Sequence, residues 1–345
     1  MSLWSRPLHF SSPDEMLAPE TLARFAGFAA KPPMIASRET ITGGFSGATI
    51  ERIIVRDDTS QQSFIVKRID PDHDWLMLAS GDTLCREVQF TRSTLSAQLP
   101  PDIVLPVLAT AYADHAGALL MSDVARMIIP ATRCYEAVDD ALVARVIDHL
   151  AALHARYWED PTLTQYEWLS TPSNALFALT PVRLQFLLTK KLSREDMYGI
   201  DALKRWFHLW QYLDPADAGT IQHMLAHPAR LLQSLQTAPA TLVHGDAWLA
   251  NMGEDQGRLI LLDWALATTG PATFDSLWFA HTWHGLDAEH VLVMHRDALL
   301  QHGINAVAND ETWALLTDLG SIRTTLMGIE WLVREVMTSS NIYDR

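Results

Sequence analysis

The segment LVHGDAWLANMGEDQGRLILLDW spans residues 242–264 and decides the fold. It holds two short β-rich runs, Leu242-Val243 with the preceding Thr241 and Leu259 to Leu262, which predict two short strands. The first run leads into His244-Gly245-Asp246, and the second leads into Asp263. The segment therefore predicts polar side chains at the ends of two strands, within a region whose other patterns are helical.

The polar residues of this segment form a chemically sensible set. Asn251 follows Asp246 by five residues, and Asp263 ends the next strand. Phosphoryl transfer depends on positioning and charge neutralisation, and the magnesium ion that it needs prefers hard oxygen ligands. We interpret Asp246 as a carboxylate beside an attacking hydroxyl, and Asn251 and Asp263 as metal ligands. The alternative is an ordinary turn, since Asp, Gly and Asn are common turn residues.

A glycine-rich stretch lies upstream, at residues 42–49, between Ile41 and Ile50 where strands are expected. Small residues allow backbone N–H groups to approach phosphates closely. The stretch lacks the Gly-Lys-Ser/Thr ending of a P-loop and is not a Gly-x-Ser-x-Gly elbow, which disfavours both of those enzyme classes. A plain turn remains the alternative. The candidate phosphate-covering residues are Gly43, Gly44, Phe45, Ser46 and Gly47.

A lysine and a glutamate in the following elements form a candidate pair. Lys67 ends the apolar run 64–66, where it could reach the phosphates of a nucleotide. Glu87 lies twenty residues later, in a helix predicted over 80–97, and could hold the lysine in place. The alternatives are a charge at a strand end for Lys67 and a solvated helix face for Glu87.

The wider pattern predicts an α+β protein with two lobes. Strands are predicted at 50–55, 64–66, 103–109 and 117–122. Helices are predicted at 14–29, 80–97, 136–157, in several pieces over 160–240, and over 273–340. We therefore expect a small antiparallel-sheet N-terminal lobe at 1–122, with a helical extension at 1–39, and a larger, mostly helical C-terminal lobe at 123–345.

Composition excludes several classes of protein. The chain has 345 residues and a formal net charge of −15, which repels a nucleic-acid backbone. It has no apolar run of membrane-spanning length, and no apolar segment of a signal peptide follows Arg6. Its two cysteines, Cys85 and Cys134, suit reduced thiols. We expect a cytoplasmic protein that binds neither nucleic acid nor membrane.

The order of these elements resembles a known family. A glycine-rich hairpin, a strand lysine, a helix glutamate, a His-Gly-Asp loop with Asn at +5, and a strand-end Asp follow one another as in the protein-kinase-like fold. The segment 243–251 is similar to the His-Gly-Asp-x-x-x-x-Asn loop of the aminoglycoside phosphotransferase/choline kinase-like superfamily. Residues 261–264 resemble its metal-binding strand end, and Leu150 to Ala155 resembles a Leu-x-x-Leu-His helix segment. The ecdysteroid-kinase-like branch is resembled only weakly.

The resemblance implies roles for particular residues. Asp246 would orient or deprotonate the acceptor hydroxyl, Asn251 and Asp263 would bind Mg²⁺, and Lys67 would contact the phosphates of ATP while Glu87 orients it. Residues 119–123 resemble the hinge that meets adenine, which makes Met121 and Asp123 candidate nucleotide contacts. His244 would support the loop by hydrogen bonding, and His154 would pack near it.

The acceptor stays open at this stage. The resemblance implies a small-molecule hydroxyl compound. A cationic acceptor would suit the acidic balance, and a ring-bearing one would suit the many tryptophans. Asp275, Asp287, Glu289 and Glu330 are candidate acceptor-side carboxylates. Ala247 and Ala265 depart from the family and protein-kinase patterns, which leaves the branch in doubt. A non-catalytic nucleotide-binding scaffold is the alternative; a protein kinase is disfavoured because no Ala-Pro-Glu segment is present.

Overall fold

The structure is a computed structural model that describes residues 6–28, 33–41, 46–189 and 197–339. The predictions for Gly43, Gly44 and Phe45 therefore lie outside the described residues. None of the helices within these ranges has an apolar stretch long enough to cross a bilayer. Cys85 and Cys134 are both buried free thiols.

A six-stranded sheet dominates the N-terminal part. The strands of residues 6–122, within the described ranges, are Leu8–Phe10 (β1), Met34–Ile41 (β2), Thr49–Arg56 (β3), Gln61–Ile69 (β4), Ile103–Val104 (β5), Val107–Ala113 (β6) and Ala116–Ser122 (β7). The sheet has the order β1-β6-β7-β4-β3-β2. Its neighbours are antiparallel except for the parallel pair β1 and β6. The lysine-bearing strand β4 lies near the middle, between β3 and β7.

The C-terminal part is mostly helical. The helices of the described chain are Pro13–Met16 (α1), Pro19–Ala26 (α2), Trp75–Ser80 (α3), Arg86–Arg92 (α4), Thr94–Ala97 (α5), Asp140–Arg156 (α6), Pro172–Phe177 (α7), Pro181–Leu184 (α8), Met197–Tyr212 (α9), Pro215–Ala226 (α10), Ala229–Thr237 (α11), Thr273–Thr282 (α12), Ala288–Gln301 (α13) and Asp310–Ser339 (α14). The remaining described strands are Thr241–Val243 (β8), Met252–Asp255 (β9), Arg258–Leu261 (β10) and Thr268–Gly270 (β11). The α+β class is confirmed, while the boundary between residues 122 and 123 stays a prediction.

Strands β8 and β10 belong to the segment around residues 242–264 that contains His244-Gly245-Asp246 and Asp263. Strand β8 pairs with β11, and β10 lies between β9 and β5. Because β5 belongs to the stretch before residue 122, its parallel pairing with β10 ties the two parts of the chain together. Both predicted strands are confirmed, with β10 ending one residue earlier than expected.

The N-terminal segment differs from the expected single helix. The helix predicted over 14–29 is divided into α1 and α2, because Pro19 begins α2 and lacks the N–H that a continuous helix needs. Residues 8–10 and 34–41 are strands rather than parts of a helical extension. Strand β2 is an edge strand with mostly exposed side chains, so its residues show no apolar alternation that could have revealed it.

The helix predicted over 80–97 is also divided. An unpredicted helix, α3, precedes it and ends at Ser80, where Gly81 follows as the C-cap with a left-handed φ of 69°. Residues 81–85 are not helical, and the Asp82 carboxylate accepts the backbone N–H of Arg86, the first residue of α4, at 2.8 Å. Ser93 separates α4 from α5, and its hydroxyl accepts the N–H of Leu95. The cap signals were present in the sequence, but the apolar periodicity continued across them.

Candidate active site

The site is centred on the buried lysine of β4. The Lys67 ammonium lies 2.7 Å from Glu87 Oε2 and 2.9 Å from Asp263 Oδ1. Only 8% of the Lys67 side chain and 6% of the Glu87 side chain are exposed. The strand, the helix and the strand end that were predicted separately therefore meet at one ammonium group.

The ion pairs set the charge states of this group. Burial works against a charged Lys67, but Asp263 and Glu87 outweigh it and raise the pKa of the ammonium. Burial raises the pKa of Glu87, whereas burial of Asp263 is outweighed by Lys67, which lowers the pKa of that carboxyl. Asp263 is therefore an ionised carboxylate, and 41% of its side chain is exposed. Its φ of 60° turns the chain sharply at the end of β10, in a left-handed conformation that Asp tolerates.

Helix α4 is fixed in place by two contacts that the sequence did not reveal. The ring of Phe90 stacks on Trp264 with centroids 4.0 Å apart and planes 13° apart. The buried guanidinium of Arg86 donates to the carbonyls of Ala265 and Trp168. Both contacts join the helix that carries Glu87 to the turn that carries Asp263, so the two carboxylates are positioned together.

Asp246 lies at the end of β8 with its carboxylate held by two donors. Trp278 Nε1–H donates to Oδ1 at 2.9 Å, and Asn251 Nδ2–H donates to Oδ2 at 2.9 Å. Burial and the negative charge of Asp263 raise the pKa of Asp246 to about 6, although both hydrogen bonds oppose the rise. A carboxylate with this pKa is ionised at neutral pH and basic enough to take a proton from a hydroxyl in a transition state.

The histidine before Asp246 supports the loop, as the resemblance implied. Burial lowers the pKa of His244, so the imidazole is neutral. The Leu262 carbonyl, 2.8 Å from Nε2, can only accept, so Nε2 carries the proton and Nδ1 accepts the N–H of Asp246. This tautomer joins the Asp246 loop to the strand end that precedes Asp263.

Asp275 anchors the same loop from below and is not an acceptor-side carboxylate as expected. Its side chain is fully buried and accepts the backbone N–H groups of His244 and Gly245, each at 2.8 Å. His154 lies 3.1 Å from the same carboxylate, which confirms its expected place near the loop. Gly245 is required here because its φ is 88° and a Cβ would lie 2.1 Å from the Leu266 carbonyl oxygen.

Helix α14 reaches this loop from the far end of the described chain. The buried Arg323 guanidinium donates to the carbonyl of Gly245 and, at 3.3 Å, to that of Phe274. Burial lowers the pKa of Arg323 to about 10, which leaves it charged at neutral pH. Sequence reasoning missed Arg323, Arg86 and the role of Trp278, since nothing local to each residue points to a partner 30 to 180 residues away.

A cavity of about 580 Å³ brings most of the predicted site residues together. The predicted residues that line it are Ser46, Lys67, Glu87, Asp246, Asn251 and Asp263. Gly47, Met121 and Asp123 do not line it. Asp123 is instead paired with Arg52 at 2.9 Å and accepts the Ser63 hydroxyl at 2.6 Å. A role for Met121 and Asp123 in nucleotide binding stays a prediction.

The described end of the glycine-rich stretch is joined to helix α3. Asp74 caps α3 by accepting the N–H groups of Leu76 and Met77, and it also bonds Ser46 and the N–H of Gly47. A Cβ on Gly47 would lie 1.9 Å from the His73 carbonyl oxygen, so only glycine fits this close approach. Ser46 and Gly47 are therefore held by the residues that follow β4.

Two of the residues fit a magnesium ion. Asp263 offers an ionised carboxylate to the cavity, and the Asn251 amide nitrogen is engaged with Asp246, so the amide oxygen is its remaining polar atom. Magnesium commonly takes one or two protein oxygens and completes its shell with phosphates and water. Among the described residues there is no group of three or more His, Cys, Asp or Glu side chains that could hold a metal by itself.

Comparison with known proteins gives one family. Residues 39–308 match the model of the phosphotransferase enzyme family (APH). No curated protein matches the chain.

Solved structures give weaker likenesses. A choline kinase from Cryptosporidium parvum Iowa II is 8% identical, with a TM-score of 0.48 and coverage of 89% of this chain and 91% of that one. The choline kinase LicA from Streptococcus pneumoniae is 14% identical, with a TM-score of 0.46 and coverage of 94% and 92%. A thermostable mutant of aminoglycoside phosphotransferase APH(4)-Ia is 12% identical, with a TM-score of 0.43 and coverage of 93% and 99%. Likenesses at this level say nothing about the substrate.

Proposed function

This chain belongs to the phosphotransferase enzyme family, and we propose that it moves the γ-phosphate of ATP to a hydroxyl group of a small molecule. One observation carries the proposal. The Lys67 ammonium is held between Glu87 and Asp263, and the same cavity is lined by Asp246 and Asn251. A buried cation beside a carboxylate with a pKa of about 6 suits the binding of phosphates next to a proton acceptor.

Asp246 acts as the base in this proposal. As the acceptor oxygen forms its bond to the γ-phosphorus, the bond from that phosphorus to the β–γ bridging oxygen breaks and ADP leaves. The hydroxyl proton passes to the Asp246 carboxylate, which Trp278 and Asn251 hold in a fixed orientation. Positioning of this kind, rather than covalent chemistry by the protein, is the main contribution of an enzyme to phosphoryl transfer.

The remaining residues bind and neutralise the nucleotide. Lys67 contacts the phosphates, and Glu87 keeps the ammonium in position. Asn251 and Asp263 hold magnesium, which when bound neutralises charge on the phosphate oxygens. Ser46 and Gly47 belong to the stretch that covers the phosphates. These roles are extended to this chain from the family resemblance and from the shared cavity.

The acceptor in this proposal is a ring-bearing compound rather than a polycation. Every carboxylate among the described residues that line the cavity already has partners: Glu87 and Asp263 bind Lys67, and Asp246 binds Trp278. Asp74 caps α3, and Asp82 accepts the backbone N–H groups of Leu84 and Arg86. Asp263 and Asp246 are assigned to magnesium and to the acceptor hydroxyl, so no described carboxylate of the lining is left to pair with several ammonium groups. The net charge of −15 is therefore better explained by solubility than by the acceptor.

Aromatic and apolar side chains form the wall near Asp246. Trp278 donates to Asp246, and Trp248, which lies two residues after Asp246 in the sequence, lines the same cavity. Other aromatic and large apolar side chains that line the same cavity include Trp75, Leu179, Tyr198 and Met327. Such a lining favours flat or apolar rings and leaves the hydroxyl to be chosen by a few polar groups. The cytoplasmic location remains a prediction from the two reduced thiols.

Thermal unfolding tests the nucleotide part of the proposal. Mg-ATP at about 100 times its Kd should stabilise the native chain by about 2.7 kcal/mol. The stabilisation should be much smaller in Asp263→Asn and unchanged in Asp217→Asn, which changes an exposed carboxylate on α10. No stabilisation of the native chain by millimolar Mg-ATP or Mg-GTP would overturn the proposal. Stabilisation without turnover of any hydroxyl compound would favour the non-catalytic scaffold.

ADP release tests the acceptor. Neutral hydroxylated aromatic or polycyclic compounds should give turnover that Asp246→Asn abolishes, whereas polyamine-bearing sugars of matched size should give none. The reverse preference would contradict the acceptor class and leave the phosphotransferase proposal standing.

A further inference from the structure

A second cavity, of about 500 Å³, shares no lining residue with the candidate active site. It lies among the start of β1, the end of α4 with α5, and the residues around β5. Its volume falls in the range typical of small-molecule sites.

The charge of its lining is opposite to that of the chain. Arg6, His9, Arg92 and Arg258 line it, and no aspartate or glutamate does. The whole chain has 41 acidic and 26 basic residues, so a wall with three arginines and no carboxylate is unlike the average surface. The rim adds a further cation, since Arg156 donates to the side chain of the lining residue Gln98 at 2.7 Å.

Two of these arginines have no acidic partner among the residues that the structure describes. Arg92 donates, at 3.4 Å each, to the carbonyl of Phe10 and the hydroxyl of Thr110, both uncharged. No carboxylate of the described residues lies within ion-pair distance of Arg92 or Arg6. Arg258 does have a partner, Asp255, which lies outside the lining. Among the described residues, Arg6 and Arg92 therefore bring positive charge to the cavity that no carboxylate neutralises.

The arginines are also positioned by separate elements. Arg6 precedes β1, Arg92 ends α4 and Arg258 begins β10. His9 bonds Thr110 at 3.0 Å, and burial together with the charge of Arg92 lowers its pKa, which indicates that Arg92 lies close to it. Guanidinium groups that several elements supply to one cavity suit the oxygens of phosphate groups, which accept N–H bonds from arginine.

We propose that this cavity is a binding site for a small phosphorylated compound, separate from the nucleotide site and independent of the phosphotransferase activity. The site uses Arg6, Arg92 and Arg258 as ligands of the phosphate groups. The feature that the arginines recognise is the clustered negative charge of the phosphate groups.

Calorimetric titration of the full chain with inorganic pyrophosphate tests the proposal. The buffer contains EDTA, which disfavours metal-dependent binding at the nucleotide site, and the titration is repeated with excess ADP. We expect one pyrophosphate per chain with and without ADP. Affinity should fall about tenfold in Arg92→Gln and in Arg6→Gln and stay unchanged in Arg24→Gln, which removes an equal charge from an exposed position on α2.

Three results would overturn it. The first is no binding at millimolar pyrophosphate. The second is binding that ADP displaces and that neither Arg92→Gln nor Arg6→Gln weakens. The third is an equal loss of affinity in Arg24→Gln, which would indicate attraction by overall charge. Arg6→Gln keeps the test informative if Arg92→Gln fails to fold, because Arg6 is exposed and precedes the first strand.

Discussion

At the scale of single residues, the hydrogen bond from Trp278 to Asp246 should affect the pH dependence of turnover. The bond from Trp278 favours the ionised carboxylate, so its loss in Trp278→Phe should raise the pKa of Asp246 above about 6. Turnover of the native chain should therefore rise as the pH passes through about 6. In Trp278→Phe the same rise should occur at higher pH, so that at pH 6 the variant turns over about tenfold more slowly than the native chain. The pH profile of kcat measures both.

The control for this prediction is Trp283→Phe. Trp283 is buried and donates to the Glu136 carbonyl at 3.4 Å, with no contact to Asp246. Its loss should lower stability without moving the acidic limb of the profile. An unmoved limb in Trp278→Phe would contradict the role of the indole.

The raised pKa of Asp246 also has a consequence for stability. A carboxyl whose pKa rises on folding from 3.8 to about 6 stabilises the fold below pH 4 and loses that contribution as the pH rises through 6. At pH 8 the free energy of unfolding of Asp246→Asn should therefore exceed that of the native chain by about 1–2 kcal/mol, as measured by denaturant unfolding. At pH 3 the two free energies of unfolding should be nearly equal. A gain that persists at pH 3, or an equal gain in Asp217→Asn, would contradict this origin.

Sequence reasoning predicted the reacting residues better than their supports. Lys67, Glu87, Asp246, Asn251 and Asp263 stand in one order along the chain, and their side chains line one cavity. Asp275, in contrast, was assigned to the acceptor because an acidic residue near a site motif is ambiguous. Only the folded chain reveals that its carboxylate is buried under backbone N–H groups.

At the scale of elements, a stacked pair of rings is one of the two contacts that position helix α4. Phe90→Leu removes the contact with Trp264 that holds α4 against the Asp263 turn. We expect the free energy of unfolding to fall by about 1–3 kcal/mol and the affinity for Mg-ADP to fall about tenfold, because Glu87 is displaced from Lys67. Calorimetric titration and denaturant unfolding measure the two effects.

The matched variant is Phe279→Leu, which changes an equally buried ring on α12. It should lower stability by a similar amount and leave Mg-ADP affinity unchanged, since α12 carries none of the predicted nucleotide ligands. If both variants weakened Mg-ADP binding equally, the effect would be one of general stability.

Element boundaries were predicted where a local signal ends them and missed where it does not. Strand β8 agrees with its prediction because a compact apolar run is followed by His-Gly-Asp. Helix α3 was missed because six residues give too few turns for a 3.6-residue period to be read. Strand β1, with three residues, was missed for the same reason.

At the scale of the whole molecule, α3 joins parts of the chain that are distant in sequence. In the sequence, Trp75 lies between β4 and α4. In the fold it is buried in a hydrophobic cluster whose other members, such as Leu203 and Leu316, come mostly from the C-terminal helices. The Trp75 ring packs so closely on Gly199 of α9 that a Cβ added to this glycine would lie 2.8 Å from the ring. Because Asp74 bonds Ser46 and Gly47, the same helix also holds the end of the glycine-rich stretch.

This arrangement predicts that Trp75→Ala affects both folding and nucleotide binding. Truncation of the buried ring should lower the free energy of unfolding by about 3–5 kcal/mol. The stabilisation by Mg-ATP should also shrink, because α3 no longer fixes the residues that cover the phosphates. The control is Trp210→Ala on α9, a half-buried ring of the same cluster, which should cost less stability and leave the stabilisation by Mg-ATP intact. Full Mg-ATP stabilisation in Trp75→Ala would show that the helical cluster anchors α3 only for stability and not for the site.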